Sequence, residues 1–101
     1  MMLLSDVLVK IEDDRQTLLL IWCPGCEQLH PFRTRGSGPV WTFDGNAEAP
    51  TFAPSMLVNK HDPPSRCHSF VRAGQIQFLD DCFHSLAGQT LPLPPLPDWA
   101  T

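Results

Sequence analysis

At 101 residues, 43% of them hydrophobic and 18% charged, the chain is expected to fold as one globular domain, 1–101, and not to stay disordered. A net charge of −4 with no run of Lys or Arg argues against nucleic acid as a partner, because duplex binding needs clustered basic groups. Eleven prolines favour short strands and ordered loops over long helices, and the longest apolar run, residues 18–24, is far too short for a membrane span.

Met1-Met2-Leu3-Leu4 reaches Asp6 before any leader-like apolar stretch forms, so a cytoplasmic setting with reduced thiols is expected. Leu8, Lys10 and Glu12 alternate with Val7, Val9 and Ile11, which suits a strand with one buried face. Asp13-Asp14-Arg15-Gln16 turns the chain, and Thr17 to Trp22 reads as a buried strand delivering Cys23. Gln28 to Arg33 is a return strand, and Val40 to Phe43 a short one closed by the turn signal Asp44-Gly45-Asn46. Pro50 to Pro54 reads as an ordered loop, and Ser55 to Val58 as a strand. Residues 67–72 and 75–79 flank Ala73-Gly74 as a β-hairpin. Residues 80–88 are a turn or one short helix, and the proline-rich tail 91–101 is extended, either packed on the body or binding a partner. The expected fold is therefore mainly β: a small antiparallel structure with a zinc knuckle and a short irregular or helical segment near the C-terminus.

Every cysteine and three of the four histidines fall into the groups Cys23/Cys26/His30, Cys67/His68 and Cys82/His84. A C-x-x-C pair occupies one side of a tetrahedral ion and leaves distant strands to complete the shell. Thiolate and imidazole donors in a reducing compartment point to Zn²⁺. The preferred ligands are Cys23, Cys26, Cys67 and Cys82, with His84 or His30 as replacements. Neighbouring strand residues face opposite ways, so if Cys67 ligates, His68 is turned to the other face for different work. A thioredoxin-like reading of Trp22-Cys23-Pro24-Gly25-Cys26 needs a helix after the cysteines, which His30-Pro31 discourages. The stiff segment Pro50-Thr51-Phe52-Ala53-Pro54-Ser55 presents two hydroxyls. Either becomes a nucleophile only with a base in reach, for which His68 is the candidate and Asp80, Asp81 or His84 possible helpers. Otherwise Thr51 and Ser55 simply satisfy loop backbone groups.

Five motifs follow one another along the chain: Cys23-Pro-Gly-Cys26-x-x-x-His30, Trp41-Thr-Phe-Asp-Gly45-Asn, Pro50-Thr-Phe-Ala-Pro-Ser55, Cys67-His-Ser-Phe-Val-Arg-Ala-Gly74 and Asp81-Cys-Phe-His-Ser-Leu-Ala-Gly-Gln-Thr90. The series resembles domain of unknown function family 6527, small phage and bacterial proteins, over roughly residues 20–97. Some members place the cysteine three residues before the histidine matching His68. Others lack the segment matching Asp81-Cys82-x-His84. Relatives lie beside bacterial genes for ubiquitin-like conjugation, which implies a protein substrate or partner of ubiquitin-like type. The resemblance implies a zinc-stabilised peptidase with Ser55 as nucleophile and His68 as base. The alternative is a non-catalytic, zinc-ribbon-like phage protein that binds a host or phage protein. Geometry separates them. Four protein ligands with a Ser55–His68 hydrogen bond favour the serine mechanism, three ligands plus water favour metal catalysis, and Ser55 far from His68 leaves the binding module.

Overall fold

In the computed structural model, which describes residues 1–101, the first half of the chain makes one antiparallel sheet. Its strands are β1 (Met2–Leu3), β2 (Val9–Glu12), β3 (Thr17–Cys23) and β4 (Gln28–Arg35), paired in that order. The apolar run of β3 lies in the middle of this sheet, and its odd positions Leu19, Ile21 and Cys23 are buried. Pro31 is accommodated because β4 is the sheet's outer strand, where a missing N–H breaks no second ladder.

The second sheet is also antiparallel and sequential: β5 (Thr42–Phe43), β6 (Phe52–Val58), β7 (Cys67–Arg72), β8 (Gln75–Phe78) and β9 (Thr90–Pro92). The β7–β8 hairpin turns through Ala73 and Gly74, both left-handed with φ of 50° and 76°, as a two-residue turn of this twist requires. The strand expected from Ser55 begins earlier, at Phe52, and absorbs part of the loop read between the two prolines. The segment 80–88 is a succession of turns without a helix.

The inner faces of the sheets share one cluster that includes Leu19, Ile21 and Phe32 from the first and Phe52, Met56, Val71, Ile76 and Phe78 from the second. Phe32 and Phe52 join the sheets directly, their rings stacked 4.1 Å apart and 7° from parallel. Such a pair adds about 0.5–1.5 kcal/mol beyond the area it buries. The proline-rich tail packs on the body. Its first residues form β9 against β8, and Leu93 enters the main core. Leu96 and Ala100 then cover Val9 and Leu20 on the outer face of the first sheet. No helix is long and apolar enough to cross a membrane.

Candidate active site and metal centre

Strand β7 divides the chemistry between its two faces. Cys67, Ser69 and Val71 point inward and are buried, while His68, Phe70 and Arg72 point the other way. The inward thiol of Cys67 meets the two thiols of the knuckle that follows β3. Cys23, Cys26, Cys67 and His84 place one donor atom each within 4.8 Å of one another, a group that can hold a metal ion. Donors around a tetrahedral zinc with Zn–S bonds near 2.3 Å stand about 3.8 Å apart, so modest closure completes the shell.

The fourth member is His84 and not Cys82. His84 Nε2 lies 3.4 Å from Cys67 Sγ, and the ring rests directly on Gly25 of the knuckle. On the far side of the ring, Leu86 N–H approaches Nδ1 at 3.3 Å, so Nε2 is the nitrogen that faces the thiols. A metal held at Nε2 would require the ring proton on Nδ1, the nitrogen that here accepts Leu86 N–H. The thiol of Cys82 is engaged elsewhere: it accepts His68 N–H at 3.2 Å and donates to His68 O at 3.1 Å.

The charge state of the thiols fits a cation. A hydrogen bond from the Cys67 thiol holds Cys23 as a thiolate with its pKa down at about 3, against the opposing effect of burial and with help from His30. Burial and the Cys23 charge push Cys26 up to about 11. Cys67 is pushed far above the usual thiol range, because its proton is committed to Cys23 and the site is buried. One negative charge is all that three crowded sulfurs sustain by themselves; a divalent cation allows all three to ionise. His30 is 3% exposed, and neither ring nitrogen has a partner in hydrogen-bond geometry, so it acts on Cys23 as an electrostatic neighbour and stays outside the four-donor group.

On the opposite face, Ser55 and His68 come together. Partners Val71 and Ser69 on β7 are two residues apart, whereas Phe52 and Met56 on β6 are four apart, so Ala53, Pro54 and Ser55 bulge opposite Phe70. A bulge of this kind bends the strand and re-aims its side chains. Ser55 Oγ lies 3.0 Å from His68 Nε2. The Trp41 indole N–H donates to Ser55 O at 3.2 Å and ties down the backbone of the bulge. The other imidazole nitrogen, His68 Nδ1, is 3.4 Å from Asp81 Oδ2. Asp81 is itself held by Arg66, whose Nε donates to Asp81 O at 3.3 Å and stands 3.9 Å from Oδ2. Of the helpers considered, Asp81 reaches the imidazole, and His84 belongs to the metal group. Thr51 does ordinary backbone work, accepting Ala73 N–H at 2.8 Å. The roles of Arg66 and Gly25 carried no signal in the sequence beyond the glycine inside C-x-x-C.

The arrangement can perform nucleophilic chemistry: a hydroxyl, a base within hydrogen-bond reach, and a carboxylate on the base's second nitrogen. A family model described as Bacterial ubiquitination-like system serine protease (BubE) matches residues 2–79. The matched span contains Ser55, His68 and the three clustered cysteines, and ends just before Asp81 and His84. No curated protein and no solved structure matches the chain.

Proposed function

We infer that this chain is a serine peptidase, and the premise is its family: the chain belongs to the bacterial ubiquitination-like system serine proteases. The observation that carries the reading is the row Ser55 Oγ, His68 and Asp81, with separations of 3.0 and 3.4 Å. Ser55 Oγ attacks the scissile carbonyl carbon as its proton passes to His68 Nε2. The Asp81 carboxylate keeps the proton on Nδ1 and stabilises the imidazolium that forms. His68 then gives its proton to the leaving amine, which departs and leaves an acyl group on Ser55. Water, deprotonated by His68, releases that acyl group and restores the hydroxyl. The Nδ1–Asp81 distance is longer than a tight hydrogen bond, as free enzymes often show before substrate closes the site.

When bound by Cys23, Cys26, Cys67 and His84, zinc would supply a cross-link between the knuckle, β7 and the turn after β8, with no open position for water. The chain's own residues therefore divide the labour. Cys67 anchors β7 from inside while His68, one residue on, works outside. Metal-activated hydrolysis needs a vacant coordination position, which a four-donor set does not offer. The binding-module reading needs Ser55 and His68 apart, and they are in hydrogen-bond contact.

The motif series resembling domain of unknown function family 6527 overlaps the matched residues, and we take the two as descriptions of one family. The matched family's description, a bacterial ubiquitination-like system, supports a ubiquitin-like protein, or its conjugate, as the substrate. The test is incubation of zinc-loaded protein with tagged ubiquitin-like substrates, comparing wild type with Ser55→Ala and His68→Ala. Both variants are expected to lose cleavage. Cleavage that survives both substitutions would overturn the serine mechanism.

A further inference from the structure

We propose that Cys82 is a positioning residue of the triad: its thiol bonds the backbone of His68 in both directions and thereby registers Asp81, its chain neighbour, against the imidazole. The proposal rests on the Ser55–His68–Asp81 reading above.

The register of the second sheet creates the need for such a residue. Ser69 pairs with Phe78, so His68 is opposite Leu79, one step beyond the end of β8. Leu79 N–H still bonds His68 O at 2.9 Å, but the reciprocal bond from His68 N–H to a strand carbonyl is not made. The Cys82 sulfur takes that N–H at 3.2 Å, and its S–H adds a second donor to the His68 carbonyl at 3.1 Å. A side chain thus stands in for the residue that would have continued the strand. A thiol is a weak donor and a weak acceptor, so its contribution is directional more than energetic. Two contacts from one atom fix where residue 82 sits along β7, and residue 81 follows.

The remaining anchors of this segment do not reach the His68 N–H, although Cys82 N–H bonds Leu79 O at 3.3 Å and so ties residue 82 to the residue whose N–H holds His68 O. Phe83 N–H bonds Arg66 O at 2.9 Å, Arg66 Nε holds Asp81 O, and His84 reaches the thiol cluster. These ties keep the segment folded and the donor group complete when the Cys82 thiol is removed. What is lost is the direct two-point contact of residue 82 with the His68 backbone, while Arg66 still ties Asp81 to the residue before β7. The same engagement leaves Cys82 outside the four donors gathered within 4.8 Å.

The experiment uses full-length, zinc-loaded protein. Cys82→Ser keeps a donor and an acceptor, Cys82→Val fills the space without either, and Cys82→Ala removes both without adding a branched side chain. Valine and alanine are each expected to lower kcat about tenfold, roughly 1.4 kcal/mol, with KM within about twofold because the Cys82 thiol bonds only the His68 backbone. The rate at which a fluorophosphonate labels Ser55 should fall in parallel. Serine should stay within about threefold of wild type, and all three should keep wild-type zinc content. Wild-type kinetics in valine and alanine, or a serine variant as impaired as valine, would overturn the proposal. So would loss of zinc in any of them, which would return Cys82 to the metal shell. Undiminished cleavage by Ser55→Ala would sink the triad reading itself, a failure visible separately from that of the latch.

Discussion

Replacing Gly25 by alanine tests the metal centre at the point where the structure is most specific about it. The backbone at Gly25 is not left-handed, so alanine meets no conformational penalty there, and the effect comes from space alone. A methyl group at this position would overlap three atoms of the His84 ring, the farthest of them, Cδ2, only 2.5 Å away. Non-bonded carbons rest at about 3.5–4.0 Å, so the ring has to withdraw by about 1 Å or more. A zinc–nitrogen bond of about 2.0–2.1 Å does not stretch that far, so His84 leaves the shell. Disturbing even an outer partner of a ligand costs about 10–100-fold in metal affinity. We expect the upper end, about 100-fold, or about 2.7 kcal/mol. Competition for zinc with a chromophoric chelator, at fixed pH, measures it. The double variant with His84→Ala should be no weaker than His84→Ala alone, since both remove the same bond. Unchanged zinc affinity in Gly25→Ala would refute the assignment and leave the fourth position to another residue, Cys82 foremost.

Three further outcomes follow from the same geometry. Cys26 and Cys67, both raised well above neutral, carry protons that zinc must expel, whereas Cys23 is already ionised. About two protons should leave per ion near neutral pH, and apparent affinity should fall as pH falls; calorimetry in buffers of different ionisation enthalpy counts them, and zero release would contradict the charge assignment. Asp81→Asn should cut kcat by about 10²–10³-fold with little change in KM. That falls short of the roughly 10⁴ seen where the acid is buried, because the Asp81 side chain is 41% exposed; wild-type turnover would remove Asp81 from the mechanism. Phe52→Ala deletes a ring stacked on both Phe32 and Phe43, and should cost about 3–5 kcal/mol in denaturant unfolding of the zinc-loaded protein. A loss under about 1 kcal/mol would mean that the sheets are not joined there.

Where side-chain period and turn chemistry agree, the sequence was readable. The β7–β8 hairpin around Ala73-Gly74, the buried run of β3 and the opposite facing of Cys67 and His68 all follow from local rules. The choice between Cys82 and His84 does not. Residues 80–88 are turns, which have no period, and which side chain enters the cluster depends on the gap left by Gly25, 59 positions before His84. Likewise, the bulge that brings Ser55 to His68 is a property of two strands paired together, invisible in either alone. The β9 strand is not legible in Thr90-Leu91-Pro92, which has little strand character of its own; the open edge of β8 recruits it. Asp81 was one of two adjacent carboxylates, and Arg66 together with the Cys82 thiol selects between them.

Because the metal thiol and the general base are consecutive residues on opposite faces of β7, their separation obeys a parity rule. An odd spacing, one residue or three, keeps one group inside and the other outside. An even spacing turns both to the same side. A single-residue insertion between them would therefore put the ligand in solvent or the base in the core. Length changes in this protein are expected to accumulate in the stretches 36–40 and 59–65, where no face is at stake, and changes of a single residue to be excluded at the junction of Cys67 and His68.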